Sequence, residues 1–144
     1  MIKTRDRAPN PLGGSSSATN VTSALLADDD EDSRRLIAGI LRRAGFEVIE
    51  ASDGQELIDR YSALRAERAE EPAVVVSDIG MPGCDGISAT QVLRSNSLVP
   101  IVLITAFEDA ETLQSARSAG ADLVLFKPVD GASLVNAVRS VARQ

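Results

Sequence analysis

Histidine is absent from this chain of 144 residues, and so is tryptophan. Without an imidazole the chain cannot run His–Asp or Ser–His catalysis, cannot ligate a metal through that ring, and cannot itself carry a phosphohistidine. Its single cysteine, Cys84, excludes an internal disulfide and gives no sign of an oxidising compartment. Aromatic residues amount to only 3%, so the core has to be assembled from Val, Ile, Leu and Ala, as in strands covered on both faces. Lysine is nearly missing, with Lys127 the only one after Lys3. No apolar run approaches the roughly 20 residues that span a bilayer. The basic residues near the start are followed by no apolar segment, so the N-terminus does not read as a signal peptide. A cytoplasmic protein is the expectation.

What is present is ordinary for one soluble domain: 44% hydrophobic and 25% charged residues in a length that suits a single core. The formal charge of −6 is unevenly placed. Lys3, Arg5 and Arg7 against Asp6 leave residues 1–20 at +2 and the remainder at −8. An acidic body argues against nucleic-acid binding, which needs clustered Lys and Arg, and it suits a divalent cation. Residues 1–20, rich in Pro, Gly, Ser and Asn, read as a flexible tail, with a docking arm as the functional alternative. Residues 21–144 read as the domain.

From Val21 onward, short apolar runs alternate with amphipathic stretches. Ser23–Ala27, Phe46–Ala51, Ala73–Ser77, Pro100–Thr105 and Asp122–Phe126 read as buried strands. Helices are expected over Asp32–Ala44, with Leu36, Ile37, Ile40 and Leu41 on one face and Gly45 as a stop. Further helices are expected over Gly54–Ala69, Ile87–Arg94 and Ala110–Ala119, the last of these closed by Gly120, and from near Asp130 to the end. Five strands alternating with five helices predict an α/β fold with a doubly wound parallel sheet.

Ligands of open α/β sheets bind beyond the carboxyl ends of the strands. There the first strand runs out at Asp28, Asp29 and Asp30, the third at Asp78, the fourth at Thr105 and the fifth at Lys127-Pro128. The second, ending Ala51-Ser52-Asp53, offers no obvious contribution. Carboxylates brought close repel unless a cation lies between them, and hard oxygen ligands suit Mg²⁺. A carboxylate is also a nucleophile toward phosphorus. Lys127 and a cation supply charge to the phosphoryl oxygens, and Thr105 supplies a hydrogen bond. Each residue has a plainer reading too. Asp28 and Asp29 alone suit a helix cap, for which Asp30, Glu31 and Asp32 are better placed, and Asp78 alone suits a turn. Gly83 and Gly86 read as loop geometry.

LLADDDED (25–32), VVVSDIGMPGCDG (74–86), IVLITA (101–106) and LFKP (125–128) resemble, in order, the motifs of bacterial response-regulator receiver domains, and the likeness covers residues 22–144. The resemblance implies the flavodoxin-like (βα)5 fold with strand order 2-1-3-4-5. It implies Asp78 as phosphoacceptor and Mg²⁺ ligand, Asp29 as a direct ligand, Asp28 acting through metal-bound water, and the Gly80 carbonyl completing the set. Thr105 and Lys127 would hold the phosphoryl oxygens, with Lys127 aimed by a cis bond to Pro128. The implied partners are a histidine kinase or phosphotransfer protein, and a downstream target or dimer partner on the face from the fourth to the fifth helix. The implied role is a self-phosphorylating switch with slow hydrolysis, not a turnover enzyme.

Some positions depart from the family. Val124 stands where an aromatic is usual, so a smaller movement of the fourth-helix face is expected on phosphorylation. Gly80 and Phe107, two residues past Asp78 and Thr105, act oppositely on access of water, the Phe as a shield and the Gly as an opening. Cys84 reads as a small loop residue, with a redox role as the alternative. Two other functions share parts of this pattern: a docking domain that never receives phosphate, and a haloacid-dehalogenase-like phosphatase, which wants a second Asp where Gly80 stands. No output region follows the last helix, which fits either a stand-alone domain or a piece of a larger regulator.

Overall fold

A computed structural model describes residues 22–68 and 71–143, so the expected tail of residues 1–20 lies outside the described residues. The elements alternate strictly: β1 (Thr22–Ala27), α1 (Glu31–Arg43), β2 (Phe46–Ala51), α2 (Gly54–Arg68), β3 (Val74–Asp78), α3 (Gly86–Arg94), β4 (Ile101–Thr105), α4 (Ala110–Ala119), β5 (Leu123–Phe126) and α5 (Gly131–Val141). All pairings are parallel, in the order β2-β1-β3-β4-β5. The chain leaves β1 to build β2 on one side and then returns to place β3 on the other. The order therefore reverses between β1 and β3, which opens a crevice at their carboxyl ends.

Side chains alternate across the strands, as a pleated backbone requires. Leu25, Ala27, Val75, Ile101 and Leu103 pack with Leu57 and Tyr61 of α2, Ala89 and Leu93 of α3 and Ala116 of α4. Ala24, Leu26, Val74, Val76, Val102 and Ile104 pack on the other face with Ile37, Ala38 and Leu41 of α1 and Leu134 and Val138 of α5. The expected α1 face needs one correction. Leu36 is 63% exposed, and Ala38 is buried in its stead. At about 3.6 residues per turn the stripe centres on Ile37 and Leu41, leaving Leu36 on its solvent flank.

Much of the acidic excess serves the helices. Asp30, Asp85, Asp109 and Asp130 each accept from the backbone N–H three residues on, at Ser33, Ser88, Thr112 and Ser133. Asp53 accepts from Glu56 N–H at 2.8 Å in the same way. Every helix thus starts on an aspartate that satisfies an orphan donor, each worth about 1 kcal/mol. At the other end, Gly120 closes α4 at φ 109°, in the left-handed region that glycine adopts without strain.

The amino ends of the strands are held by Glu71, which accepts from Tyr61 Oη and Ser97 Oγ and lies 3.7 Å from Arg143 Nη1. Arg143 also donates from its backbone N–H to Ala73 O at 3.1 Å and from Nη2 to Leu98 O at 2.8 Å. The Ser97 and Tyr61 hydroxyls, with Arg143 and Arg65 nearby, hold the Glu71 carboxyl below its ordinary range. Such a group stabilises the fold fully above the unfolded carboxylate value of about 4.3, and that contribution is lost as pH falls through the lower folded value. Glu71→Gln is expected to cost about 1–2 kcal/mol at neutral pH. In urea titrations the gap from the parent protein should narrow on acidification. A gap that stays constant to acid pH would show that the charge contributes nothing.

Candidate functional site

The β3 ladder runs one residue further than the sequence pattern predicts. Asp78 pairs with Ile104 as the last residue of the strand, and Ile79 N–H donates to Ile104 O at 2.8 Å. Asp78 therefore stands on rigid backbone at the crevice. One residue along β4, Thr105 is 2% exposed. Its Oγ1 accepts from Phe107 N–H at 3.0 Å and its carbonyl from Lys127 N–H at 2.8 Å, which ties the end of β5 to the end of β4. The Lys127-Pro128 bond is cis.

These ends bring charges together. Carboxylate oxygens of Asp28, Asp29 and Asp78 all lie within 4.8 Å of one another. Lys127 Nζ is 3.4 Å from Asp78 Oδ2 and 3.9 Å from Asp28 Oδ2. Burial pushes the Asp78 carboxyl above its usual range, Lys127 pulls it back, and the Asp28 and Asp29 charges push it further up. Asp28 is 1% exposed, and its Oδ2 is buried without a hydrogen bond. A buried carboxylate oxygen left this way is costly. Asp28 together with the two neighbouring acids Asp29 and Asp78 forms a hard-oxygen donor set that fits a cation of the Mg²⁺ kind. Among the described residues these three are the acidic set so gathered.

Other expected members take simpler positions. Gly80 is exposed in the loop after β3, and a Cβ there would meet nothing within 4 Å. Phe107 is 65% exposed beyond Thr105. Cys84 is half-buried and faces Gly54, whose added Cβ would lie 2.2 Å from the Cys84 carbonyl oxygen. Burial, followed by the Asp85 and Asp53 charges, pushes its thiol upward and away from the reactive thiolate.

Three contributions escaped the sequence reading. Gly86 does more than shape a loop: a Cβ there would lie 2.3 Å from the Asp78 carbonyl oxygen, so the start of α3 packs directly on the backbone of Asp78. The second strand also takes part, because Ala51 O accepts from Asp28 N–H at 3.1 Å. Arg34 of α1 reaches back to donate to the Asp28 carbonyl at 2.9 Å and to Glu50 of β2 at 3.0 Å. Of these, only Gly86 left a trace in the sequence, as a glycine opening a helix where a better helix former is expected.

The family profile described as the response regulator receiver domain matches residues 24–139. The chain belongs to this family. Transcriptional regulatory protein CseB of Streptomyces coelicolor is 35% identical over 123 residues, covering 85% of this chain and 50% of that protein. This receiver domain spans about half the length of the curated relatives it matches. Among solved structures, chemotaxis protein CheY4 of Vibrio cholerae superposes with a TM-score of 0.75 at 27% identity, covering 84% of this chain and 98% of that one. The CheX–CheY–BeF3–Mg complex of Borrelia burgdorferi gives a TM-score of 0.76 at 25% identity, covering 88% and 93%. Among the described residues no helix is long and apolar enough to cross a membrane.

Proposed function

We propose that this receiver domain is a phosphorylation switch that accepts a phosphoryl group on Asp78 from a phosphohistidine of a partner kinase or phosphotransfer protein. The observation that carries the reading is the gathering of the Asp28, Asp29 and Asp78 carboxylates within 4.8 Å, with Lys127 Nζ 3.4 Å from Asp78. Asp29, Asp78 and the Gly80 carbonyl would hold Mg²⁺ directly, and Asp28 would act through water. When bound, that ion would neutralise the carboxylates and the phosphoryl oxygens; the Borrelia burgdorferi complex of similar fold contains both BeF3 and Mg.

The chain's own residues do the rest. An Asp78 carboxylate oxygen attacks phosphorus, forming the O–P bond as the P–N bond to the donor imidazole breaks and its electron pair returns to that ring. Lys127 offsets charge on the phosphoryl oxygens. The Thr105 hydroxyl, now the acceptor of Phe107 N–H, has its own proton to donate to one of them. The added charge of about −2 then shifts the Thr105 and Lys127 contacts and the surface beyond them. The domain turns over no substrate beyond its own slow hydrolysis.

Incubation with acetyl phosphate and Mg²⁺ tests the reading. The expected result is a mass increase of one phosphoryl group that a chelator prevents. No increase favours a docking domain independent of phosphate, and rapid release of phosphate from added esters favours a phosphatase.

Val124 is half-buried opposite Leu103 in the β4–β5 register, and it packs on the cluster that contains Ala116 of α4. A side chain this short cannot exchange a buried position for an exposed one as a ring can. Phosphorylation is therefore expected to shift the backbone amides of α4 less than in the Val124→Tyr variant. Equal shifts in the two proteins, by ¹⁵N correlation spectra, would contradict this.

A further inference from the structure

Asp28 is tied down at every polar atom but one. Its N–H donates to Ala51 O at 3.1 Å, its Oδ1 accepts from Asp30 N–H at 3.0 Å, and its carbonyl accepts from Arg34 Nη1 at 2.9 Å. Only Oδ2, buried and without a hydrogen bond, is left to the acid cluster. Arg34 is itself fixed: its side chain is 17% exposed, and its Nε donates to Glu50 Oε1 at 3.0 Å. Arg42 Nη2 meets the other Glu50 oxygen, Oε2, at 3.1 Å in an exposed contact outside the path to Asp28. A brace thus runs from β2 through α1 to the loop that carries Asp28 and Asp29.

Carboxylates within 4.8 Å repel, and a loop free to move relieves the repulsion by swinging its acids apart. We propose that Arg34 is a positioning residue for the divalent cation. Acting through the Asp28 carbonyl, it holds Asp28 and Asp29 at coordinating separation from Asp78 before any cation arrives. This rests on the reading of the acid cluster as a Mg²⁺ site. Groups that orient ligands from behind affect metal affinity without touching the metal.

Titration of Mg²⁺ alone into the full chain, read from the amide shifts of Asp29, Asp78 and Gly80, tests it. Arg34→Ala is expected to weaken the affinity by about tenfold. Arg34→Lys, which can reach the Asp28 carbonyl but not also Glu50, should recover part of the loss. Arg42→Ala removes the other arm on Glu50 and leaves the Asp28 carbonyl alone, so it should bind Mg²⁺ as the parent does. Parent-like affinity in folded Arg34→Ala overturns the proposal, and so does an equal loss in Arg34→Ala and Arg42→Ala, which would reduce the brace to general support of α1. If Arg34→Ala does not fold, Arg34→Lys decides: affinity below that of Arg42→Ala is expected, and equality overturns the proposal. If the parent protein shows no Mg²⁺ shifts at these residues, the cation reading itself fails and the role of Arg34 falls with it.

Discussion

Asp78→Asn is expected to abolish phosphoryl acceptance and, at the same time, to raise the stability of the metal-free domain. The first effect follows from chemistry: an amide oxygen is too poor a nucleophile to displace the donor imidazole, and on the proposed reading Asp28 and Asp29 serve the cation instead. Mass spectrometry after acetyl phosphate and Mg²⁺ treatment should show no adduct on the variant. The second effect follows from the position of Asp78. Burial and the charges of Asp28 and Asp29 disfavour its ionised form more than Lys127 favours it. Replacing the carboxylate by a neutral group of the same shape removes that repulsion and leaves Lys127 to pair with Asp28, now 3.9 Å away.

The sign should change when Mg²⁺ is added. A ligand that binds only the folded state stabilises it by about 2.7 kcal/mol at a hundred times its dissociation constant. The parent protein should gain this and the variant much less, so the order of thermal midpoints reverses. An adduct that survives on Asp78→Asn would move the acceptor elsewhere, and a metal-free midpoint below the parent's would mean that Lys127 outweighs the acids.

Gly86→Ala should damage both the fold and the site. Its Cβ would stand 2.3 Å from Asp78 O and 3.0 Å from Ile79 Cα, and both are backbone atoms with no rotamer by which to yield. The hydrogen bond from Gly86 N–H to Ile79 O at 2.9 Å holds the two segments together. Either β3 or the start of α3 has to move. Overpacking of this kind costs about 1–3 kcal/mol, and the backbone displaced is the one that carries Asp78, the proposed acceptor. Reduced stability in urea, together with slower phosphorylation by acetyl phosphate, is the expected outcome. Gly80→Ala is the control, because its added methyl meets nothing within 4 Å. It should leave stability nearly unchanged. Parent-like behaviour of Gly86→Ala in both assays would show that α3 can shift without disturbing Asp78.

Gly80 lies in the loop after β3 and Gly86 opens α3 six residues on, and nothing along the chain says which of them has room for a methyl group. Only the packing of α3 on β3 separates them. Leu36 and Ala38 make the same point for the core, since either could have faced inward and the helix phase set by Ile37 and Leu41 chose Ala38. By contrast, Asp30, Asp85, Asp109 and Asp130 cap their helices through contacts three residues long, which a reader of the chain can anticipate.

The order of elements, the parallel sheet and the residues at each strand's carboxyl end follow from local regularities: period-two and period-3.6 apolar patterns, glycine stops, and the lack of aromatics and histidine. Those rules act over a few residues, so they are written wherever those residues are adjacent. The brace from Glu50 through Arg34 to Asp28, the seat of Gly86 against Asp78 and the isolation of Asp28 Oδ2 join segments that share no local pattern. Their energies depend on which atoms meet across the crevice after β1 and β3 have paired, and that meeting exists only in three dimensions.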